Sequence, residues 1–447
     1  MYDLCVLGAG PAGYEAAAYA GRIGKKVALV EEKYIGGTCL NVGCIPTKLF
    51  LKTAELKRTF QNGAAFALQS FDAAVDMSAL QQRKKSIVST LVRGVETQQK
   101  KAGVEILRGR AKISDKNSVI VNDQKIETHK ILIATGSQPA KPSIPGIDSK
   151  FVLDSTAILD LETLPKAIAI IGGGYIGLEF ASFFSAMGTN VTVIEMLPNI
   201  VASLDDEIAK QLLSNLKSQG ISFHLSSKVS RIEDSTVFFH NGQSEQSIQA
   251  DVILNAAGRT PVVHDLGLEE VGVDFDHRGI KVDEKGKTNV PSIWACGDVT
   301  GRCLLAHAAT REGIVAVNNM FGIPDRIRYQ DIPAVIYTHP QVASVGYTEE
   351  ALQERGVNYK KSITPLAIAG RTFIEEEKPR GFVKVLAGAQ YGEILGVHII
   401  GNSCGDFICA ASTMMAMETR VKDVHAMVFP HPTISEALRE AILQLAK

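Results

Sequence analysis

Two cysteines five residues apart, Cys39 and Cys44, lie in the stretch Gly36-Gly37-Thr38-Cys39-Leu40-Asn41-Val42-Gly43-Cys44-Ile45-Pro46-Thr47-Lys48. On an ideal helix, residues i and i+5 are about 8.6 Å apart at Cα. A disulfide needs roughly 4.4 to 6.8 Å. A bond between these sulfurs therefore requires a distorted turn, and Gly43 and Pro46 are the residues that permit one. A strained, accessible disulfide is the readily reduced kind. A bare C-x4-C spacing also fits two packed thiols of an intracellular protein. A second reactive constellation closes the chain, Phe429-Pro430-His431-Pro432-Thr433-Ile434-Ser435-Glu436. Flanking prolines present His431 rigidly, and Glu436 is near enough to hold its tautomer and support an imidazolium. On a chain that also carries a redox-type cysteine pair, His431 and Glu436 form a candidate acid/base dyad.

These residues need a scaffold, and its pattern is repeated. An apolar strand at residues 3–7 leads into Gly8-x-Gly10-x-x-Gly13, an Ala-rich helix at 14–23 and a strand at 26–30 that ends at Glu31. A strand at 167–171, Gly172-x-Gly174-x-x-Gly177, a helix at 178–187 and a strand at 190–194 ending at Glu195 repeat it. Both spans are the same, 31 − 8 = 23 and 195 − 172 = 23. The glycines allow a tight turn and close approach of a pyrophosphate, which the helix N-terminus attracts, while the acid suits a ribose diol. Two dinucleotide sites on one chain imply two redox carriers with hydride passing between them. Glu195 favours a 2′-hydroxyl over a 2′-phosphate, and no arginine follows before Arg231, so NAD(H) is expected over NADP(H).

Between the repeats, residues 53–101 are polar and helix-favouring, and their Lys, Gln and Ser residues read as a solvated face. Strands at 130–134 and 251–255 end at Ala134-Thr135-Gly136-Ser137 and Ala256-Ala257-Gly258-Arg259, where small residues let backbone approach a cofactor and Arg259 can reach a phosphate or ribose. A short strand at 292–295 ends at Cys296-Gly297-Asp298, an acid well placed for polyol hydroxyls. His307, beyond it, reads as structural or as a neighbour of a bound dinucleotide. From about residue 322 the pattern changes to alternating strands at 382–386 and 394–400, with helices near 405–419 and 435–446.

Composition narrows the function classes. The 447 residues are 45% hydrophobic and 21% charged with a net charge of −1, as in a soluble enzyme of about three domains. No basic excess is available to neutralise phosphates, so nucleic acid and acidic membrane surfaces are not expected partners. Neither a signal peptide nor a membrane span is visible, since the most apolar stretch, 167–184, is interrupted by Glu179 and by glycines. Seven cysteines do not suggest a secreted disulfide framework, and a reducing, cytoplasmic compartment is expected. No cluster has metal-ligand spacing. Cys404 and Cys409 repeat the C-x4-C spacing without its glycines and lysine and read as buried thiols, Cys5, Cys296 and Cys303 as packing positions. Met414, Met415 and Met417 read as core or interface.

Together, the cysteine stretch, both fingerprints, Gly297-Asp298 and His431 to Glu436 resemble the pyridine nucleotide disulfide oxidoreductases over essentially the whole chain. The resemblance implies an α/β fold with two Rossmann-like dinucleotide-binding domains plus an α+β C-terminal dimerisation domain. The implied boundaries are 1–145 for FAD, 146–265 for NAD, 266–325 for a central domain completing the FAD site, and 326–447 for dimerisation. Cys44 would face the flavin and Cys39 would exchange with substrate. Lys48 would lie near the reactive flavin nitrogen, paired with Glu179, which needs a partner inside an apolar helix in any case. FAD would be held by Gly8, Gly10, Gly13, Glu31, Gly37, Thr38, Lys48, Ala111, Thr135, Gly136, Asp298 and Ala306. NAD would be held by Gly172, Gly174, Tyr175, Ile176, Gly177, Glu195, Val229, Gly258 and Arg259, with Tyr175 either covering the nicotinamide pocket or simply packed. His431 would act across a homodimer. The implied reaction is oxidation of protein-bound dihydrolipoamide by NAD+. Its partners would be the lipoyl domains and E2 core of a 2-oxo acid dehydrogenase complex, or a lipoylated carrier protein. A glutathione-reductase-like activity and a mainly structural docked subunit are the alternatives.

Overall fold

Residues 1–446 are described by a computed structural model. The strand Tyr2–Leu7 is buried over its last four residues, and an apolar run of this kind belongs in a parallel sheet covered on both faces. It pairs in parallel with Val27–Glu31, Leu4 opposite Val27, and with Gln124–Ile133, Leu4 opposite Lys130. Glu105–Arg108 and Ile293–Ala295 extend the sheet in parallel at its two sides. Gln124–Ile133 is longer than the layer needs, and residues 124–127 run on into an antiparallel ribbon with Ser118–Val121 and Ala111–Asp115.

The second unit repeats the first. Ala167–Ile171 lies between Asn190–Ile194 and Val252–Asn255, with Ser222–His224 and Val152–Asp154 outermost, all parallel. A three-stranded antiparallel sheet, Lys228–Glu233, Thr236–His240 and Glu245–Gln249, accompanies it. In each unit the turn after the first strand has a left-handed glycine, Gly8 at φ 100° and Gly172 at φ 109°. The third glycine brings the following helix against that turn: a Cβ on Gly13 would lie 1.8 Å from the Gly8 carbonyl oxygen, and one on Gly177 would lie 2.1 Å from that of Gly172. The two helices are Pro11–Arg22 and Tyr175–Ala186, each three residues earlier at its start than the sequence pattern places it.

The C-terminal unit is a five-stranded antiparallel sheet in the order Ala334–Ile336, Val342–Gly346, Ile394–Ile400, Phe382–Gly388, Tyr359–Pro365. Helices Cys404–Ala416 and Glu436–Leu443 pack on it through Ile408, Ala411, Met414, Leu438 and Ile442. The chain is thus α/β with two Rossmann-type units and an α+β C-terminal unit. Lys384, with no exposed surface, ties this last sheet to the second Rossmann unit through Asp205 at 2.9 Å and to Glu349 at 2.6 Å.

Two expectations from sequence, the solvated face and the buried Cys404 and Cys409, are corrected. Residues 53–101 hold two helices, Cys44–Gln61 and Met77–Lys101, and their polar residues are not all solvated. Lys57, Gln81, Lys84 and Gln99 are buried. Lys84 Nζ and Gln81 Nε2 donate to the Leu159 carbonyl at 2.7 and 2.9 Å, so the long helix caps the turn that leads into the second unit. Cys404 is buried as expected, but Cys409 is exposed one turn further along the helix. Met414 and Met415 enter the core, whereas Met417 is 75% exposed. Among the described residues, no helix is long and apolar enough to cross a membrane.

Candidate active site

Cys39 and Cys44 do not share a helix. Cys39 lies in Gly37–Val42, Cys44 opens Cys44–Gln61, and Gly43 breaks the chain between them at φ −146°, ψ −112°. A Cβ at Gly43 would lie 2.9 Å from the Thr38 carbonyl oxygen, so the fold of the two helices onto each other depends on glycine there. Both thiols are free, half-buried and hydrogen-bonded to each other. Their acidities separate. Cys44 is pulled down to about 7, first by the hydrogen bond from Cys39 and then by the Lys48 charge, against burial. Cys39 is pushed well above the ordinary thiol value by donating that bond and by burial. Of the two, the Cys44 thiol is the one drawn toward the thiolate form.

Lys48, one turn along from Cys44, meets both oxygens of Glu179 at 2.9 and 2.8 Å. Glu179 is buried in the second Rossmann helix, so the ion pair joins the two units beside the thiolate. Tyr337, which no local sequence feature marks, completes this group. Its main-chain N–H donates to Glu179 Oε1 at 3.1 Å, and its ring faces the Lys48 ammonium at 4.6 Å.

Both fingerprints form the same device. Glu31 Oε2 accepts from Ala9 N at 2.7 Å, and Glu195 Oε2 accepts from Gly173 N at 2.6 Å. Each acid therefore stands at its glycine turn. Gly10 has no atom nearer than 3.9 Å to an added Cβ and Gly174 has none within 4 Å, so both turns are open on that side. A Cβ on Gly37 would meet Gly10 Cα at 2.5 Å, which seats the redox helix directly on the first turn. Thr38 follows in that helix. Gly136 is open within 4 Å, Thr135 Oγ1 donates to Val262 O at 2.8 Å, and Ala306 begins the helix Ala306–Met320. Ala111 starts the antiparallel ribbon, and Val229 is buried in the three-stranded sheet. Gly172, Tyr175, Ile176 and Gly177 frame the second turn, with Tyr175 Oη 3.4 Å from Ser203 Oγ.

Asp298 and Arg259 turn out to be linked. Ser137 Oγ donates to Asp298 Oδ2 at 2.5 Å, while Arg259 Nε donates to Ser137 Oγ at 2.7 Å and its Nη2 to Ser137 O at 2.6 Å. Arg259, beside the open Gly258, is thus turned toward the first unit, and burial pushes the pKa of its guanidinium down. Ser137 escapes sequence reasoning because a serine after a glycine is an ordinary turn residue. Buried Glu312 accepts from Gly297 N at 2.6 Å and holds the Asp298 turn from behind. His307 Nε2 bonds the Pro333 carbonyl at 2.6 Å, a structural contact.

His431 Nδ1 and Glu436 Oε1 are 2.8 Å apart, and Thr433 N donates to Glu436 Oε2 at 2.9 Å. The histidine hydrogen bond holds the Glu436 carboxyl below its ordinary value. The His431 side chain is 78% exposed. Within one chain, among the described residues, no hydrogen bond or ion pair joins this dyad to Cys39 or Cys44. Nor do the described residues contain a group of three or more His, Cys, Asp or Glu side chains that could hold a metal ion.

Comparison with known proteins follows this geometry. Residues 2–313 match the pyridine nucleotide-disulphide oxidoreductase family, and residues 332–442 match the dimerisation domain of that family. The chain is 36% identical over 448 residues to a dihydrolipoyl dehydrogenase of Bacillus subtilis, covering 98% of each. It is 39% identical over 459 residues to dihydrolipoyl dehydrogenase 3 of Pseudomonas aeruginosa, covering 99% of this chain and 98% of that one. Among solved structures it resembles the HOCl-induced flavoprotein disulfide reductase RclA of Escherichia coli, with a TM-score of 0.87, 28% identity and 99% coverage of both chains.

Proposed function

The chain belongs to the pyridine nucleotide-disulphide oxidoreductase family, and from that premise we infer that it is an FAD- and NAD-dependent dihydrolipoyl dehydrogenase. The observation that carries the substrate choice is full-length identity of 36 to 39% to proteins of that name. It acts as a homodimer, in keeping with its dimerisation domain.

In our reading, the units follow the division 1–145, 146–265, 266–325 and 326–447. The first glycine turn, Glu31, Gly37, Thr38, Ala111, Thr135, Gly136, Asp298 and Ala306 would hold FAD. The second turn with Glu195, Tyr175, Ile176, Val229 and Gly258 would hold NAD, and Arg259 would join them through the part of its guanidinium that Ser137 does not use. The flavin supplies two-electron chemistry between the thiol pair and the nicotinamide.

The chain's own residues do the rest. His431 Nε2 of one subunit takes a proton from a dihydrolipoyl thiol at the other subunit's site, while Glu436 supports the resulting imidazolium. The new thiolate attacks Cys39 of the oxidised pair, and Cys44 leaves as the thiolate that its environment stabilises. The second substrate thiol then displaces Cys39 and closes the lipoyl disulfide, leaving the Cys39–Cys44 pair reduced. Lys48 sets its positive charge against the Cys44 thiolate. Lipoyl domains and the E2 core of a 2-oxo acid dehydrogenase complex, or a lipoylated carrier, would present the substrate, in a cytoplasmic setting.

Steady-state kinetics on the purified flavoprotein with dihydrolipoamide, glutathione disulfide and a mercuric salt test the assignment. The lipoyl couple should give by far the highest kcat/KM, with NAD(H) as the nicotinamide. A strong preference for another acceptor would overturn it.

A further inference from the structure

Lys48 sits between two unlike neighbours. Glu179 takes its ammonium by both oxygens and, being an anion, opposes the Lys48 charge that Cys44 feels. Tyr337 takes another side of it with a ring face at 4.6 Å and carries no charge at neutral pH. A ring quadrupole attracts a cation without cancelling its charge. The ring thus holds the ammonium in place and leaves its field on the thiolate intact, which a second carboxylate could not do.

Tyr337 is itself held. Its N–H is bound to Glu179, and two residues on, the His339 carbonyl accepts from Gln219 Nε2 at 2.5 Å, so the segment is fastened to the second Rossmann unit at two points. The ring edge lies near the start of helix Cys404–Ala416, where a Cβ on Gly405 would be 3.7 Å from Tyr337 Cε1, and the residue is 37% exposed. The C-terminal unit therefore reaches Lys48 of its own chain through this residue.

We propose that Tyr337 is a positioning residue of the redox site: its ring face fixes the Lys48 ammonium beside Cys44 and so stabilises the thiolate that leaves when the disulfide opens. The inference rests on reading Cys39 and Cys44 as the redox pair. Other charged or titratable groups facing the pair are Cys39 itself, Glu179, Tyr14 and Arg259, and Tyr337 also faces Asp406. None of these is altered by changing the ring.

The test uses the full-length flavoprotein and its variants Tyr337→Phe, Tyr337→Leu and Tyr337→Met. After two-electron reduction, the long-wavelength absorbance of the thiolate against flavin is titrated with pH. The iodoacetamide reaction rate of the reduced pair, titrated in parallel, reads the same thiolate without the flavin. Phe keeps the ring face and should keep the wild-type midpoint by both measures. Leu and Met remove it and should raise the midpoint by about half a pH unit or more. Met, flexible and apolar, fills the space should the Leu protein fail to fold. An unmoved midpoint in the ring-less variants, or a Phe midpoint that moves with theirs, overturns the proposal. A wild-type protein with no thiolate band and no titrating alkylation would instead remove the redox reading itself, and the proposal with it.

Discussion

At the scale of the residue, the asymmetry between Cys39 and Cys44 makes the pair usable. Both thiols share one hydrogen bond and both feel the Lys48 charge, but only the Cys44 pKa falls, to about 7, while that of Cys39 is raised. The consequence for stability can be signed. Between about pH 7 and the ordinary thiol value of 9.0, the folded dithiol sheds a proton that the unfolded chain retains. Stability of the reduced form should therefore rise with pH across that window and be lost again as pH falls through 7. Above 9 the trend reverses, because Cys39 ionises in the unfolded chain while its folded value is raised. Thermal melts of reduced wild-type protein against Cys44→Ser, at pH 6, 7.5 and 9, should show a difference that grows with pH across that range, and a flat difference would refute the asymmetry. The histidine is as specific. His431→Ala removes the base and should lower turnover with dihydrolipoamide by about 10² to 10⁴, with the bound flavin spectrum unchanged. These residues were legible in the sequence because each chemistry demands an unusual neighbourhood, glycines around the cysteines and prolines around the histidine. Tyr337 and Ser137 were not legible, since their partners Glu179 and Arg259 are 158 and 122 positions away and nothing local marks either one.

At the scale of the element, the strand, glycine turn, helix and acid were readable twice because sterics dictate each part. Only glycine fits where Gly13 and Gly177 touch the preceding turns, and a glutamate at the end of the second strand reaches back to the turn N–H groups that Glu31 and Glu195 accept from. The same contact sharpens the nucleotide prediction. Glu195→Arg should raise the ratio of kcat/KM for NADP+ over NAD+ by about 10-fold or more, since an arginine can meet a 2′-phosphate that the carboxylate repels. It should also weaken NAD+ binding beyond the loss of one ribose contact, because Gly173 N and Leu197 N lose their acceptors. An unchanged ratio would count against Glu195 as the selector. What composition could not reveal is where long polar side chains go. Lys84 and Lys384 look like surface lysines in the sequence and are buried in the fold, because carbonyls and carboxylates distant in sequence receive them. Lys384→Met should leave Asp205 buried without its cation and destabilise the chain by about 3 to 5 kcal/mol, measured as a fall in the urea midpoint.

At the scale of the whole molecule, the two halves of the chemistry lie on one chain without meeting in it. The cysteine pair, Lys48 and Glu179 are gathered where the Rossmann units join, while His431 stands 78% exposed on the C-terminal unit, and Val428, three residues before it, is 95% exposed. An exposed valine leading into a rigid, proline-flanked histidine suits a surface that a second copy covers, and closed two-fold symmetry would then place two equivalent sites at one interface. The arrangement predicts complementation. Homodimers of Cys39→Ser and of His431→Ala should each be nearly inactive, one lacking the thiol at both sites and the other lacking the base at both. After subunit exchange, a hybrid dimer has one site with Cys39 of one chain and His431 of the other, and a second site with neither. Random reassortment makes half the dimers hybrid, so activity should recover to about a quarter of wild type. If the dyad served the cysteines of its own chain, every site in the mixture would lack one group, and no activity would return however long the subunits were allowed to exchange.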